Sequence, residues 1–323
     1  MALSRIDWRR LLSRNTFLFA LLLLIIALLI NWYLQPNLFE LRSINRNLRG
    51  FLPLAILAVG QTIVILGGGV DLSVGAMVSL ANAILITLIV PESTPEQVLL
   101  AIGIACAAGL AAGALNGFAV AYLRLQPIVT TYATSFLYAG LALLILPRPG
   151  GAIPSGMAEL YRSTPFDIPF AIFVMVALIV VWLLLRSTRF GQYLFATGGK
   201  AEAAYATGVP VNRIRWATYV LAGLFAALAA LAYTAHTSSG NPRSGDEMTL
   251  PSVVAVVLGG TRLAGGQGGV IGTVLAVIIL GIFRNIISFA NIPSWWQTLV
   301  NALIILVALA GPGIASLLRR RNL

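Results

Sequence analysis

An all-α integral membrane protein with about ten crossings, some of them discontinuous, is the fold class that this sequence predicts, and three observations carry the prediction. Of 323 residues, 59% are hydrophobic and 10% charged, which leaves too little polar surface to clothe a soluble domain. Apolar runs approaching the length of a bilayer span recur along the whole chain, several of them without an ionised group. The basic residues fall into alternate connecting segments, as expected of a polytopic chain.

The first run, residues 16–34, follows a leader carrying Arg5, Arg9, Arg10 and Arg14. No small-residue cleavage pattern follows and Trp32-Tyr33 reads as an interfacial anchor, so this is a retained helix rather than a signal peptide. Further runs occupy 52–66, 72–90, 98–122, 128–146, 168–185, 216–236, 250–263, 270–290 and 295–314, the eighth being short and weak. With the amino terminus in the cytoplasm, fourteen basic residues lie on cytoplasmic segments and six outside, with Arg284 inside a span. Both termini are then cytoplasmic. The acids Glu92, Glu96, Glu159, Asp167, Asp246 and Glu247 all fall on the outer side. The net charge of +11 is therefore topological and gives no nucleic-acid footprint. Arg42, Arg46 and Arg49, spaced with Leu41, Ile44 and Leu48, read as an amphipathic helix lying in the outer interface. Residues 1–323 are read as a single transmembrane domain.

Three segments break the hydrophobic pattern. The most informative is 191–208, where a small charged helix, Lys200 to Thr207, stands between two long spans, preceded by Gly198-Gly199 and followed by Gly208 and Pro210. Two turns measure only about 12 Å, too short to cross a bilayer or to be stable alone, so the segment is built to be held by something else. The chosen orientation places it in the cytoplasm, where Lys200, Glu202, Ala203, Ala204 and Gly208 form a candidate docking surface for a soluble partner.

The second break, Gly67-Gly-Gly-Val-Asp-Leu-Ser-Val-Gly75, puts an acid into a glycine-rich interruption at membrane depth, which is tolerated only inside protein or beside a water-filled cavity. Asp71, with Ser73 nearby, is read as a cap that accepts from Val74 or neighbouring amides and restarts the third span; direct contact with solute or proton is the alternative. The third break, 259–269, is still richer in glycine, and Pro251 interrupts the run before it. Short Gly/Pro-broken segments point to the moving or pathway-lining parts of transporters.

Enzyme chemistry finds little support. The Walker pattern fails because Lys200, the sole lysine, is followed by Ala201, so no ATP site is expected in this chain. His236 is the only histidine and Cys106 the only cysteine, which excludes a disulfide and leaves no metal set; His236 reads as a packing or interfacial residue. What remains is neutral polarity inside apolar helices: Gln61, Thr62, Asn82, Asn116, Thr130, Thr131, Tyr132, Thr134, Ser135, Tyr138, Asn285, Gln297 and Asn301. Each is either helix-packing glue or a pathway contact, and Gly103, Gly109, Gly113 and Gly117 add a small-residue packing stripe. The shortage of embedded charge disfavours the alternative of an ion-coupled secondary carrier, and the docking segment disfavours a channel or scaffold.

Three blocks then carry a resemblance: 58–75, 116–130 and 256–272, with 191–208 as the intervening cytoplasmic segment. The chain resembles, over nearly its whole length, the inner-membrane permease subunits of bacterial ABC importers for ribose, galactose, galactofuranose, autoinducer-2 and related monosaccharides. The resemblance implies a type II, cobalamin-importer-like architecture, a second permease chain (a copy or a paralogue), a cytoplasmic ATPase holding ATP and Mg, and a periplasmic sugar-binding protein. Segment 191–208 would be the coupling region, and this chain would bind no cofactor. Two departures stand out. Tyr132-Ala133-Thr134 replaces a frequent Leu-Gly-Thr run, and Thr249 and Pro251 stand where an acidic pair often precedes the last glycine block, so no particular sugar is carried over.

Overall fold

A computed structural model describes residues 17–293 together with Trp295, Trp296, Leu299, Ala302 and Leu303. Among these, regular structure is helical apart from an isolated bridge between Gly150 and Gly240. In chain order the helices are α1 (Phe17–Leu34), α2 (Leu41–Leu66), α3 (Val74–Leu88), α4 (Pro95–Ala121), α5 (Pro127–Ile145), α6 (Ser155–Arg162), α7 (Phe170–Ser187), α8 (Arg189–Gly199), α9 (Ala201–Ala206), α10 (Val211–Thr237), α11 (Thr249–Leu258) and α12 (Val270–Phe289). Six of them, α2, α4, α5, α7, α10 and α12, are long and apolar enough to cross a bilayer, and α1, α3 and α11 contribute shorter apolar helices. The expected tenth crossing, with Gln297 and Asn301, lies largely outside the described residues, as do the first arginine cluster and the carboxyl-terminal one.

The bundle is built around α2 and α10, which pack on each other and are mostly buried, while α4, α5 and α7 keep an apolar face outward. That arrangement suits a lipid surround, since the outward side chains include Leu99, Leu144 and Leu184. The closest helix pair is α4 with α10. A Cβ on Gly109 or Gly113 would fall against the backbone of Gly223 or Tyr219, and one on Gly117 against Trp216. Small residues thus let the backbones touch and maximise dispersion contact where lipid and protein are equally apolar. Gly103 faces open space and takes no part in that stripe.

The arginine-bearing segment 42–49 is not a separate interfacial helix. It is the first third of α2, which runs on through Pro53 into the buried core. Pro53 has no amide hydrogen to give the Arg49 carbonyl, and the Tyr161 hydroxyl donates to that oxygen instead at 2.7 Å. Asn45 Nδ2 donates to the Arg162 carbonyl at 2.8 Å. These two bonds pin α6 across α2, and the first supplies the donor that Pro53 lacks.

Two of the shorter apolar helices, α3 and α11, are each preceded by an irregular stretch. After α2 ends, residues 67–73 lead into the 15-residue α3. After α10 ends, residues 240–248 return antiparallel beside α3 before the 10-residue α11 begins. Gly240 lies against Ile86, the Asn241 amide donates to Asn82 Oδ1 at 2.8 Å, and the Gly245 amide donates to Ser79 Oγ at 2.9 Å. The Gly75 amide donates to Thr249 Oγ1 at 3.1 Å, so the amino-terminal turns of α3 and α11 meet inside the bundle. Segment 240–248, expected as an outer loop, instead packs along α3 within the bundle.

Candidate functional site

Asp71 is fully buried at the amino-terminal end of α3, where converging amide dipoles favour negative charge. Its Oδ1 accepts from the Ser73 amide at 2.8 Å and from Ser73 Oγ at 2.6 Å. Its Oδ2 lies 3.4 Å from Asn116 Nδ2, which also donates to Ser73 Oγ at 2.7 Å. The Tyr138 hydroxyl lies 3.0 Å from Asn116 Oδ1 and 2.9 Å from the Ala112 carbonyl. Asn116 from α4 thus reaches the carboxyl group directly, and Tyr138 from α5 holds Asn116 in place. The cap reaches Ser73 rather than Val74, because the turn closes two residues after the acid. Thr131 fastens the same loop, accepting from the Leu72 amide at 3.0 Å.

Other polar candidates divide by location. Thr130 and Thr134 donate to carbonyls of their own helix, Gln126 at 2.9 Å and Thr131 at 3.2 Å. Gln61 is fully buried with both amide atoms unpartnered, and Asn285 Nδ2 is buried and unpartnered on α12. Asn31 and Gln35, at the end of α1, are likewise buried without partners; the hydropathy of their run concealed them.

At the α2 carboxyl terminus, the three glycine breaks meet. The Gly266 amide donates to the Leu66 carbonyl at 3.0 Å. Gly198 is wedged beside this bond: a Cβ there would strike the Leu66 carbonyl and lie 2.7 Å from the Gly266 amide nitrogen. Gly265 and Gly266 adopt φ values of +88° and +70°, and a Cβ on Gly265 would come within 2.9 Å of both the Gly198 carbonyl oxygen and Gly68 Cα. Segment 191–208 is therefore in backbone contact with both other breaks.

The short helix itself differs from the expected Lys200 to Thr207. Gly198 and Gly199 close α8 instead of preceding a new helix, and α9 covers only Ala201–Ala206. Lys200, Glu202, Ala203 and Gly208 are exposed, but Ala204 is buried against this chain and is not part of an open surface. Its place on that surface is taken by Tyr205, which is 75% exposed and which residue type alone did not single out.

Beside the middle of α2, around Pro53, lies a cavity of about 650 Å³, walled by α2, α10, α11, α12 and the irregular segment 240–248. Its polar lining comes from Tyr233, His236, Arg243, Asp246, Glu247 and Arg284, with Ser244 beside them. His236 also stacks edge-on with Tyr161, ring centroids 6.1 Å apart, so it packs and lines the cavity together. Gln61, Asp71, Ser73, Asn116, Thr130, Thr134 and Asn285 are not among the lining residues.

A polytopic helical bundle agrees with comparisons to known proteins. The chain is 34% identical over 297 residues to the ribose import permease protein of Escherichia coli (strain K12), covering 90% of this chain and 91% of that protein. It is 35% identical over 289 residues to the ribose import permease protein of Bacillus subtilis (strain 168), covering 88% and 89%. With the autoinducer 2 import system permease protein of Photorhabdus laumondii it shares 28% identity over 301 residues, covering 91% and 90%. No solved structure matches the chain. Residues 43–309 match the family described as branched-chain amino acid transport system / permease component, and the chain, a multi-pass inner-membrane protein, belongs to that family.

Proposed function

We propose that this chain is the permease subunit of an ATP-driven importer for a monosaccharide or similar small polar solute, supplying both the conduit and the lever. The contact of Gly198 with Leu66 and Gly266 carries this reading, because it joins an exposed docking helix to the two broken segments through backbone alone. A push on α9 is delivered through α8 to the ends of α2 and of the 259–269 break without passing through flexible side chains. Similarity to ribose and autoinducer-2 permeases supports the solute class.

On this reading α9 faces the cytoplasm, both termini are cytoplasmic, and residues 191–208 dock onto an ABC ATPase that holds ATP and Mg. This chain is a ten-helix permease of type II architecture, a second permease chain, identical or paralogous, pairs with it, and a periplasmic binding protein delivers the sugar. This chain binds neither nucleotide nor metal; His236 has no second nitrogen or sulfur beside it in the sequence, and Lys200 lacks the Walker context. Purification from mild detergent tests the assignment. Recovery of an ABC ATPase and a sugar-binding protein with the tagged chain is the expected result; recovery of an intact, transport-competent chain with no ATPase overturns it.

A further inference from the structure

We propose that the 650 Å³ cavity between α2, α10, α11 and α12 is a binding chamber for a neutral polyhydroxylated solute of monosaccharide size. The inference deepens the conduit reading above and rests on it. Three observations carry it. Backbone without regular hydrogen bonding is tolerated inside a membrane protein only where it is packed in protein or lines a water-filled space, and here the irregular segment 240–248 supplies much of the wall. The short helix α11, whose amino-terminal turn meets that of α3, supplies Pro251 and Val254 to the wall, and short Gly/Pro-broken helices mark solute sites in transporters. Ser244, only 8% exposed, lines the cavity with a hydroxyl that has no protein partner. A buried hydroxyl left unbonded is costly, and a bound hydroxyl group or water is what satisfies it.

The charge of the lining selects the solute class. Arg243 and Arg284 are matched by Asp246 and Glu247, so the wall offers donors and acceptors with no net charge. Hydroxyl groups both donate and accept, and each such pair can hold them, while Phe51 supplies an apolar face for the carbon skeleton. A cation or an anion would find as many like charges as opposite ones. A zwitterionic amino acid is the competing occupant, and the test separates it.

The test uses the full-length chain in lipid nanodiscs, without ATP or partner chains, so that a failure of coupling leaves it interpretable. In a Cys106→Ser background, Ser244→Cys carries the reporter, Tyr233→Cys a second one should the first misfold, and Phe166→Cys, which is 92% exposed and outside the cavity, serves as control. Maleimide labelling is timed with D-ribose, D-galactose or L-leucine added. Protection of a cavity reporter by several-fold with at least one sugar, none with leucine and none at Phe166→Cys, is the expected result. Adding Glu247→Gln should raise the half-protecting sugar concentration about ten-fold. Protection by leucine alone, or unchanged labelling at both cavity reporters with every solute, overturns the proposal.

Discussion

The backbone amide of Gly266 donates to the carbonyl oxygen of Leu66 at 3.0 Å, tying the last glycine block to the end of α2. Gly198 of α8 closes against that bond so tightly that no side chain fits between them. Rigid elements in direct contact have few ways to absorb a displacement, and a shift of α8 must therefore be answered by Leu66, Gly266 or both.

A methyl group at Gly198 should break this relationship. Gly198→Ala places a Cβ on the Leu66 carbonyl, whereas Gly199→Ala adds one into open space. Overpacking of this kind costs about 1–3 kcal/mol. Uptake and solute-stimulated ATP hydrolysis should fall at least ten-fold in Gly198→Ala and stay within two-fold of wild type in Gly199→Ala. Equal behaviour of the two variants, at equal membrane levels, would remove the junction from the mechanism.

Asp71 gives a different contrast. Asn at this position keeps an oxygen for the Ser73 amide and hydroxyl and loses only the longer approach to Asn116, while Leu leaves both Ser73 donors without an acceptor. Each buried donor left unsatisfied costs about 1–3 kcal/mol. Asp71→Asn should retain substantial uptake and Asp71→Leu should abolish it. Complete loss in both, with normal insertion, would mean that the charge itself is required.

Thr130 and Thr134 should prove to be packing residues, since their hydroxyls already donate to carbonyls within α5. Alanine at either position should alter sugar preference, measured with one binding protein in competition uptake, by less than two-fold. Thr131→Ala should be worse than both in overall rate, because Thr131 also holds the Leu72 amide of the Asp71 loop. A change of preferred sugar from Thr130→Ala or Thr134→Ala would show selectivity in α5.

The fold class and three glycine breaks were legible because hydropathy and glycine content are local properties. Their meeting was not, since Leu66, Gly198 and Gly266 are brought together only by the packing of α2 against α8 and the last break. Segment 240–248 was read as an outer loop for a physical reason. It carries Arg243, Asp246 and Glu247, and hydropathy cannot tell a polar loop in water from one that borrows Ser79 and Asn82 for its backbone bonds and faces a cavity. For the same reason the polar residues inside apolar helices drew attention away from the cavity wall, although Asp71, Ser73 and Asn116 did prove to form one network. The interfacial helix failed because three arginines at helical spacing say nothing of where the helix ends; α2 runs on through Pro53, and the Tyr161 hydroxyl from α6 bonds the Arg49 carbonyl there.

The surface of α9 yields the last prediction, and it depends on which alanine is open. Ala203 and Glu202 face outward beside Tyr205, whereas Ala204 is packed against its own chain. Glu202→Lys and Ala203→Trp should therefore leave the thermal stability of the purified permease within about 2 °C, a size of shift that corresponds to roughly 1 kcal/mol or less for a chain this long. The same variants should cut ATPase stimulation by loaded binding protein ten-fold or more, because a clash or charge reversal at a tight interface costs about 1–3 kcal/mol. Ala204→Trp should do the opposite, lowering stability and membrane level before any effect on coupling can be isolated. Tyr205→Ala separates docking from packing: an exposed aromatic contributes little to the free fold, so a selective fall in ATPase association would mark it as a contact. Normal association, stimulation and uptake in Glu202→Lys, Ala203→Trp and Tyr205→Ala together would leave α9 as an ordinary connecting turn and the lever would have to be sought elsewhere on the same face.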